Sequence, residues 1–284
     1  MRISSYIADG RVSFGLAVDG GIVDCGQHFP DCADLWDYLQ RHEIDQLARF
    51  ATQAPDLRPD AVRPLPLFPN PAARFFCIGI NYRPHVLEMG REVPAHPVIF
   101  VRFASSLVGH GEPLRRPRES EQFDFEGELA VVVGRPGRRI PAAAALQHVA
   151  GYSCFNDGSV RDFQRHSGQF TAGKNFDRSG AFGPWLVTRD EIPDPAALEL
   201  RTRLNGQVVQ RESTGELIFS IGDLIEYISS FTLLVPGDVI VTGTPGGVGA
   251  GRTPPLWMQP GDTVEVEISG LGCLSNRIVD DDGA

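Results

Sequence analysis

The 284-residue chain has five cysteines, Cys25, Cys32, Cys77, Cys154 and Cys273, and no C-x-x-C pair among them. A zinc site built on thiolates is therefore not expected, and the odd count favours a reduced, cytoplasmic protein over a disulfide scaffold. Positive charge is also short: 26 Lys and Arg stand against 36 Asp and Glu, a formal net charge of −10. A nucleic-acid partner is not expected from that balance. An anionic substrate is not excluded, since a bound metal ion with a few local cations can reverse the field inside one cleft. The opening MRISSYIADGRVSFG lacks the apolar core of a signal peptide, and no run is apolar for long enough to span a bilayer, so no membrane association is expected. The glycine-rich run Val241–Gly249 lacks the Gly-Lys-Ser/Thr ending of a nucleotide-binding loop, which sets aside ATP and GTP.

What is present reads as a well-packed, strand-rich globular protein. Hydrophobic residues make up 42% and charged residues 22%, with 31 Gly and 22 Pro punctuating many short β-branched runs. Residues 1–54 read as a small N-terminal α/β domain: two or three strands separated by Asp9-Gly10 and Asp19-Gly20-Gly21, then a helix over Asp34–Phe50 with Leu35, Leu39, Ile44 and Leu47 at near-helical spacing. Six prolines between Pro55 and Pro71 mark residues 55–74 as an extended linker. Residues 75–284 form the main body. There, Pro236-Gly237-Asp238 and Pro260-Gly261-Asp262 each launch a strand through a type II turn. Ser220-x-x-Asp223 and Ser159-x-x-Asp162 are candidate capping boxes.

The segment Phe123–Gly134 carries most of the chemistry. On a strand, Phe123, Phe125, Leu129 and Val131 fall on one face and Asp124, Glu126 and Glu128 on the other. Aligned carboxylates repel unless water or a cation intervenes. A single wet face is the plain reading of such alternation, but Leu129–Val133 continues as an unbroken apolar run, so the glutamates stand where a buried strand emerges. Oxygen ligands without His or Cys point to Mg²⁺, Mn²⁺ or Ca²⁺. Asp157 is the third ligand candidate, on the turn before a short helix that carries Arg161 and Gln164 on one face. Lys174 lies in a glycine-flanked loop. His85 and Glu88 share a helical face, where the carboxylate could fix the imidazole tautomer and leave its other nitrogen to take a proton. A solvated ion pair is the plain alternative for that pair, as an exposed lysine is for Lys174.

Taken in order, Glu-x-Glu-Leu-Ala, Asn-Asp-x-Ser-x-Arg-Asp-x-Gln, Gly-Lys-x-Phe-Asp, Gly-Pro-Trp-Leu-Val-Thr and Pro-Gly-Asp-Val-Ile-Val-Thr-Gly-Thr-Pro-x-Gly-Val-Gly resemble the fumarylacetoacetate hydrolase family over about residues 75–279. The resemblance implies an α+β, β-rich fold, a mixed β-roll, that is usually a homodimer. It carries Glu126, Glu128 and Asp157 over as ligands of Mg²⁺ or Mn²⁺, His85 and Glu88 as the water-activating pair, and Arg161, Gln164 and Lys174 as the substrate and oxyanion contacts. Tyr82, Gly243 and Thr244 are taken as substrate contacts. Arg102-Phe103 departs from the frequent Lys-Pro, and Asn81 stands near an extra acidic ligand of animal members, so three carboxylates are expected and not four. The activity implied is metal-dependent hydrolysis of a C–C bond in an acylpyruvate or related 1,3-diketo acid. The alternative is decarboxylation of oxaloacetate, or isomerisation of a keto acid. A metal-loaded binding protein with no turnover is the reading from a different class.

Overall fold

The strand Gly127–Val133 is buried at every position, because neighbours flank it and a layer covers each of its faces. Leu129, Val131 and Val133 join a core with Leu200, Val264, Val266 and Ile225. Ala130 and Val132 join a second core with Phe75, Phe155, Phe182 and Leu35. The apolar run is thus buried on both sides, as its composition implies. The structure, a computed structural model, describes residues 1–282. It is α+β with sheets dominant.

The large sheet runs, in spatial order, through residues 21–23, 11–18, 2–8, 180–188, 149–156, 127–133, 239–241, 75–79 and 98–102. Most neighbours are antiparallel, but Val239–Val241 lies parallel to Phe75–Gly79. A second sheet of residues 207–213, 199–204, 263–268, 272–280 and 114–116 packs across one face of the first. The helix Ile221–Phe231 closes the same core with Ile221, Leu224, Ile225 and Ile228. Burying each such side chain contributes about 1.5–3 kcal/mol. Its capping box is present, with Ser220 accepting from the Asp223 backbone N–H and Asp223 from that of Ser220.

Both Pro-Gly-Asp turns form. Gly237 and Gly261 take φ of +79° and +97°, the left-handed conformation that a type II turn places on glycine. Each following aspartate folds back to accept a backbone N–H, Asp238 from Val235 at 2.8 Å and Asp262 from Gln259 at 2.7 Å.

Other expectations change. The Asp34–Phe50 helix breaks into an α-helix, Leu35–Arg41, and a 3₁₀ stretch, Ile44–Phe50. His42 and Glu43 are extended between them, and the Glu43 carbonyl accepts from the Tyr38 hydroxyl at 3.1 Å. Ser159 does not cap a helix: its hydroxyl donates to the Asp157 carbonyl at 2.8 Å, and the four-residue helix Arg161–Gln164 starts without a side-chain cap. The N-terminal strands continue the large sheet, since Arg2 and Ile3 pair with Val187 and Leu186. The proline-rich stretch lies along the same strand, with Arg63 and Pro64 opposite Ile7 and Tyr6. Among the described residues no helix is long and apolar enough to cross a membrane.

Candidate active site and metal centre

The antiparallel ladder between Gly127–Val133 and Val149–Asn156 sets the geometry. Gly127 faces Asn156 and Glu128 faces Phe155, and the next link is the Asp157 backbone N–H donating to the Glu126 carbonyl at 2.8 Å. Directly opposed residues on such a ladder stand about 5 Å apart. Glu126, on the break between two strand segments, and Asp157, one residue past its strand, therefore meet at the sheet's end. Carboxylate oxygens of Glu126, Glu128 and Asp157 all lie within 4.8 Å of one another, all buried.

Three cations stand around them. Lys174 Nζ contacts Glu126 Oε2 at 2.5 Å and Asp157 Oδ2 at 2.6 Å. Arg161 reaches Glu126 Oε1 at 2.7 Å and Asp124 Oδ2 at 2.8 Å, and donates to Gln164 Oε1 at 3.0 Å. Arg102 holds Asp157 Oδ1 at 2.5 Å. Glu128 makes no ion pair among the described residues; its Oε2 accepts the Gly243 backbone N–H at 2.6 Å. Four buried carboxylates thus face three buried cations, and Glu128 is the one without a counter-ion.

The electrostatics follow. For Glu128, burial and the like charges of Asp157 and Glu126 push the carboxyl well above its ordinary range. Glu126 is equally buried, yet Arg161 and Lys174 outweigh that and draw it down to about 2. Burial works against the charged form of Lys174, but Asp157 and Glu126 outweigh it and hold the ammonium above its usual range.

This donor set fits a hard divalent cation. Two oxygens bound to one Mg²⁺ or Ca²⁺ at roughly 2.0–2.6 Å can be no more than about 4–5 Å apart, and the lone Glu128 leaves the cluster one negative charge in excess. The Lys174 ammonium already takes a cation's position against two of the three carboxylates.

A cavity of about 460 Å³ opens onto this cluster. Glu126, Glu128, Arg161, Gln164, Lys174, His85 and Thr244 line its polar side, and Ile78, Ile80, Val98, Phe100 and Phe170 its apolar side. His85 is on the helix Arg83–Glu88, whose Pro84 suits the first turn. Its Nδ1 lies 2.8 Å from Glu88 Oε1, and Glu88 Oε2 accepts from the Gly247 backbone N–H at 2.8 Å. His85 is buried and Glu88 half-buried against the glycine loop, so the two do not form a fully solvated surface pair. Thr244 accepts from Gln210 at 2.8 Å and donates to the Gly127 carbonyl at 3.0 Å. Two expected substrate contacts are elsewhere: Tyr82 is fully buried without lining the cavity, and Gly243 backs Glu128. Asp157 lies behind Lys174 and also does not line it.

Two site residues escape the sequence reading. Arg102, seen there only as a departure from Lys-Pro, is 2% exposed and braces Asp157. Asp124 does not join the other acids: it receives Arg161 and the backbone N–H groups of Gly249 and Ala250 at 2.8 and 2.9 Å. Its place in the acidic alternation marks it, but not its partner. Asn81 binds no acid cluster either; its amide donates to the Phe219 and Thr242 carbonyls at 3.1 and 2.8 Å.

The β-rich α+β fold thus brings a buried acidic trio, a lysine and a carboxylate-held histidine to one end of the large sheet, beside one cavity. The chain belongs to the fumarylacetoacetate hydrolase family, whose C-terminal domain model matches residues 74–279. It is 36% identical over 285 residues to the mitochondrial oxaloacetate tautomerase Fahd2a of Rattus norvegicus, covering 96% of this chain and 89% of that protein. It is 39% identical over 267 residues to the oxaloacetate tautomerase YisK of Bacillus subtilis, covering 92% and 87%. Among solved structures, a putative HpcE protein from Mycobacterium smegmatis superposes with a TM-score of 0.87 at 39% identity, covering 99% of this chain and 100% of that one.

Proposed function

We propose that this protein interconverts the keto and enol forms of a 2-oxo acid of the oxaloacetate type, with Mg²⁺ or Mn²⁺ held by Glu126, Glu128 and Asp157. Both relatives named above carry the name oxaloacetate tautomerase, which favours the isomerase alternative over the C–C hydrolysis of an acylpyruvate read first from the sequence. The observation that carries the proposal is that His85, its Nδ1 on Glu88, lines the same cavity as Glu126, Glu128 and Lys174.

A bound divalent cation would supply Lewis-acid polarisation of the 2-oxo group. His85, in the tautomer that Glu88 sets, takes the proton from the carbon beside the oxo group through Nε2. The electron pair of that C–H bond becomes the C=C bond, and the C=O pair moves onto oxygen. Lys174 and Gln164 donate hydrogen bonds toward that oxygen while charge develops on it. The imidazolium then returns the proton to the oxygen, giving the enol with no water consumed. Arg161 holds Gln164 and Glu126 in place.

The test is the decay of enol absorbance on adding oxaloacetate to protein loaded with Mg²⁺, against protein in excess chelator. Acceleration that requires the metal supports the reading. Release of pyruvate without accelerated tautomerisation would instead assign decarboxylation, and cleavage of acetylpyruvate would assign hydrolysis.

A further inference from the structure

Two arginines at the rim of the cavity have no side-chain partner among the described residues. Arg91 and Arg165 both line it and both are exposed, and neither side chain makes a hydrogen bond or ion pair among the described residues. The deeper cations Arg102, Arg161 and Lys174 are all committed to carboxylates of the protein. In a chain of net charge −10, two free guanidinium groups facing one cavity leave its entrance positive.

Both are held at the backbone and free at the tip. Arg91 closes the helix that carries His85: its N–H donates to the Val86 carbonyl at 2.9 Å, and that of Gly90 to Leu87 at 3.1 Å. This is the paired pattern of a Schellman ending, with Gly90 at φ +61°. Arg165 follows Gln164 directly, its N–H donating to the Asp162 carbonyl at 3.1 Å. The rim arginines therefore continue the two segments that bear the base and the oxyanion contacts.

We propose that Arg91 and Arg165 form the subsite for the far carboxylate of a 2-oxo dicarboxylate, so that the cavity selects a dianionic substrate. The inference rests on the proposed function, which places the near carboxylate and oxo group at the acidic trio. The remaining carboxylate then points away from four acidic side chains and toward the cavity's only uncommitted cations among the described residues. Guanidinium groups bind carboxylates through paired N–H donors. Because these two are solvated, the selectivity is expected to be tens-fold and to weaken with salt.

The test uses the full chain loaded with Mg²⁺ and three ligands. Oxaloacetate has the far carboxylate, 2-oxobutyrate replaces it with methyl, and oxalate lacks that end altogether. Wild type should bind 2-oxobutyrate about 10- to 100-fold more weakly than oxaloacetate. R165Q and R91Q should each raise the KM for oxaloacetate and leave kcat within about twofold, and the double variant should abolish the preference. Oxalate inhibition should be unchanged in all of them, which a merely structural role would not give. Equal affinity of wild type for oxaloacetate and 2-oxobutyrate, or an unchanged preference in the double variant, would overturn the subsite. Should wild type bind all three ligands without tautomerising oxaloacetate, the reaction assigned above fails, and the binding constants alone decide the subsite.

Discussion

Glu88 joins His85 to Gly247: one carboxylate oxygen lies 2.8 Å from the imidazole Nδ1, and the other accepts the glycine-loop N–H at 2.8 Å. The loop is thereby tied to His85, the proposed base, through a single side chain. E88Q keeps the shape but loses the charge-assisted contacts. It should lower kcat for tautomerisation on the order of 10²-fold while metal and oxalate affinities stay near wild type, as read by steady-state kinetics beside calorimetry. An E88Q enzyme with full kcat would detach Glu88 from the base.

Glu128 should set the metal affinity and its pH dependence. In the metal-free protein its carboxyl sits well above the usual range because of burial and the nearby Asp157 and Glu126 charges. A ligand must be deprotonated to bind, so metal binding should release a proton and tighten as pH rises. Calorimetry in two buffers of different ionisation enthalpy reads that release directly, and E128A should reduce Mg²⁺ affinity at least 100-fold. The same shift has a stability consequence. A raised carboxyl stabilises the metal-free fold below its unfolded pKa, and that contribution is lost as pH rises toward the folded value. Thermal melts should show the loss in chelator and not with Mg²⁺.

Asp124 should matter for stability. It is fully buried and receives Arg161 together with the Gly249 and Ala250 N–H groups. D124N leaves Arg161 with Glu126 as its remaining carboxylate partner and sets an amide NH2 or a neutral oxygen against the Gly249 and Ala250 N–H groups, so about 1–3 kcal/mol of destabilisation is expected. Denaturant unfolding of the metal-free protein measures it. A change below about 1 kcal/mol would contradict this role.

Asn81 is a brace and not a vacant ligand position. Its amide donates to two carbonyls, and its Oδ1 accepts from the Phe219 backbone N–H at 2.8 Å. N81D would set a carboxylate against those carbonyl oxygens. It should destabilise the fold by about 1–3 kcal/mol and leave metal stoichiometry at one per chain, by unfolding and by metal analysis of the dialysed protein.

Much of this was legible in the sequence where chemistry is local. The unbroken apolar run Leu129–Val133 foretold a doubly buried strand, the Ser220–Asp223 box its helix, and Pro-Gly-Asp its turns. Glu126, Glu128 and Asp157 were named together through the family resemblance, and the ladder between their strands is what brings their oxygens within 4.8 Å. What failed depended on distant partners. Nothing near Arg102 in sequence announces Asp157, 55 positions away, and nothing near Asp124 announces the Gly249 N–H, 125 away. Ser159 carried a capping pattern, but its hydroxyl turned to the Asp157 carbonyl. The leading strands gave no hint that Ile3 would pair with Leu186 and extend the main sheet.

The central claim is that His85 moves a proton on a 2-oxo acid held at the acidic trio. It is tested most directly by following hydrogen exchange at the carbon beside the oxo group of oxaloacetate in D₂O, by NMR, with Mg²⁺-loaded wild type and H85N. The account predicts exchange far above that of Mg²⁺ alone for wild type, and a loss of at least 100-fold in H85N with oxalate affinity intact. Exchange by H85N equal to that of wild type would contradict it.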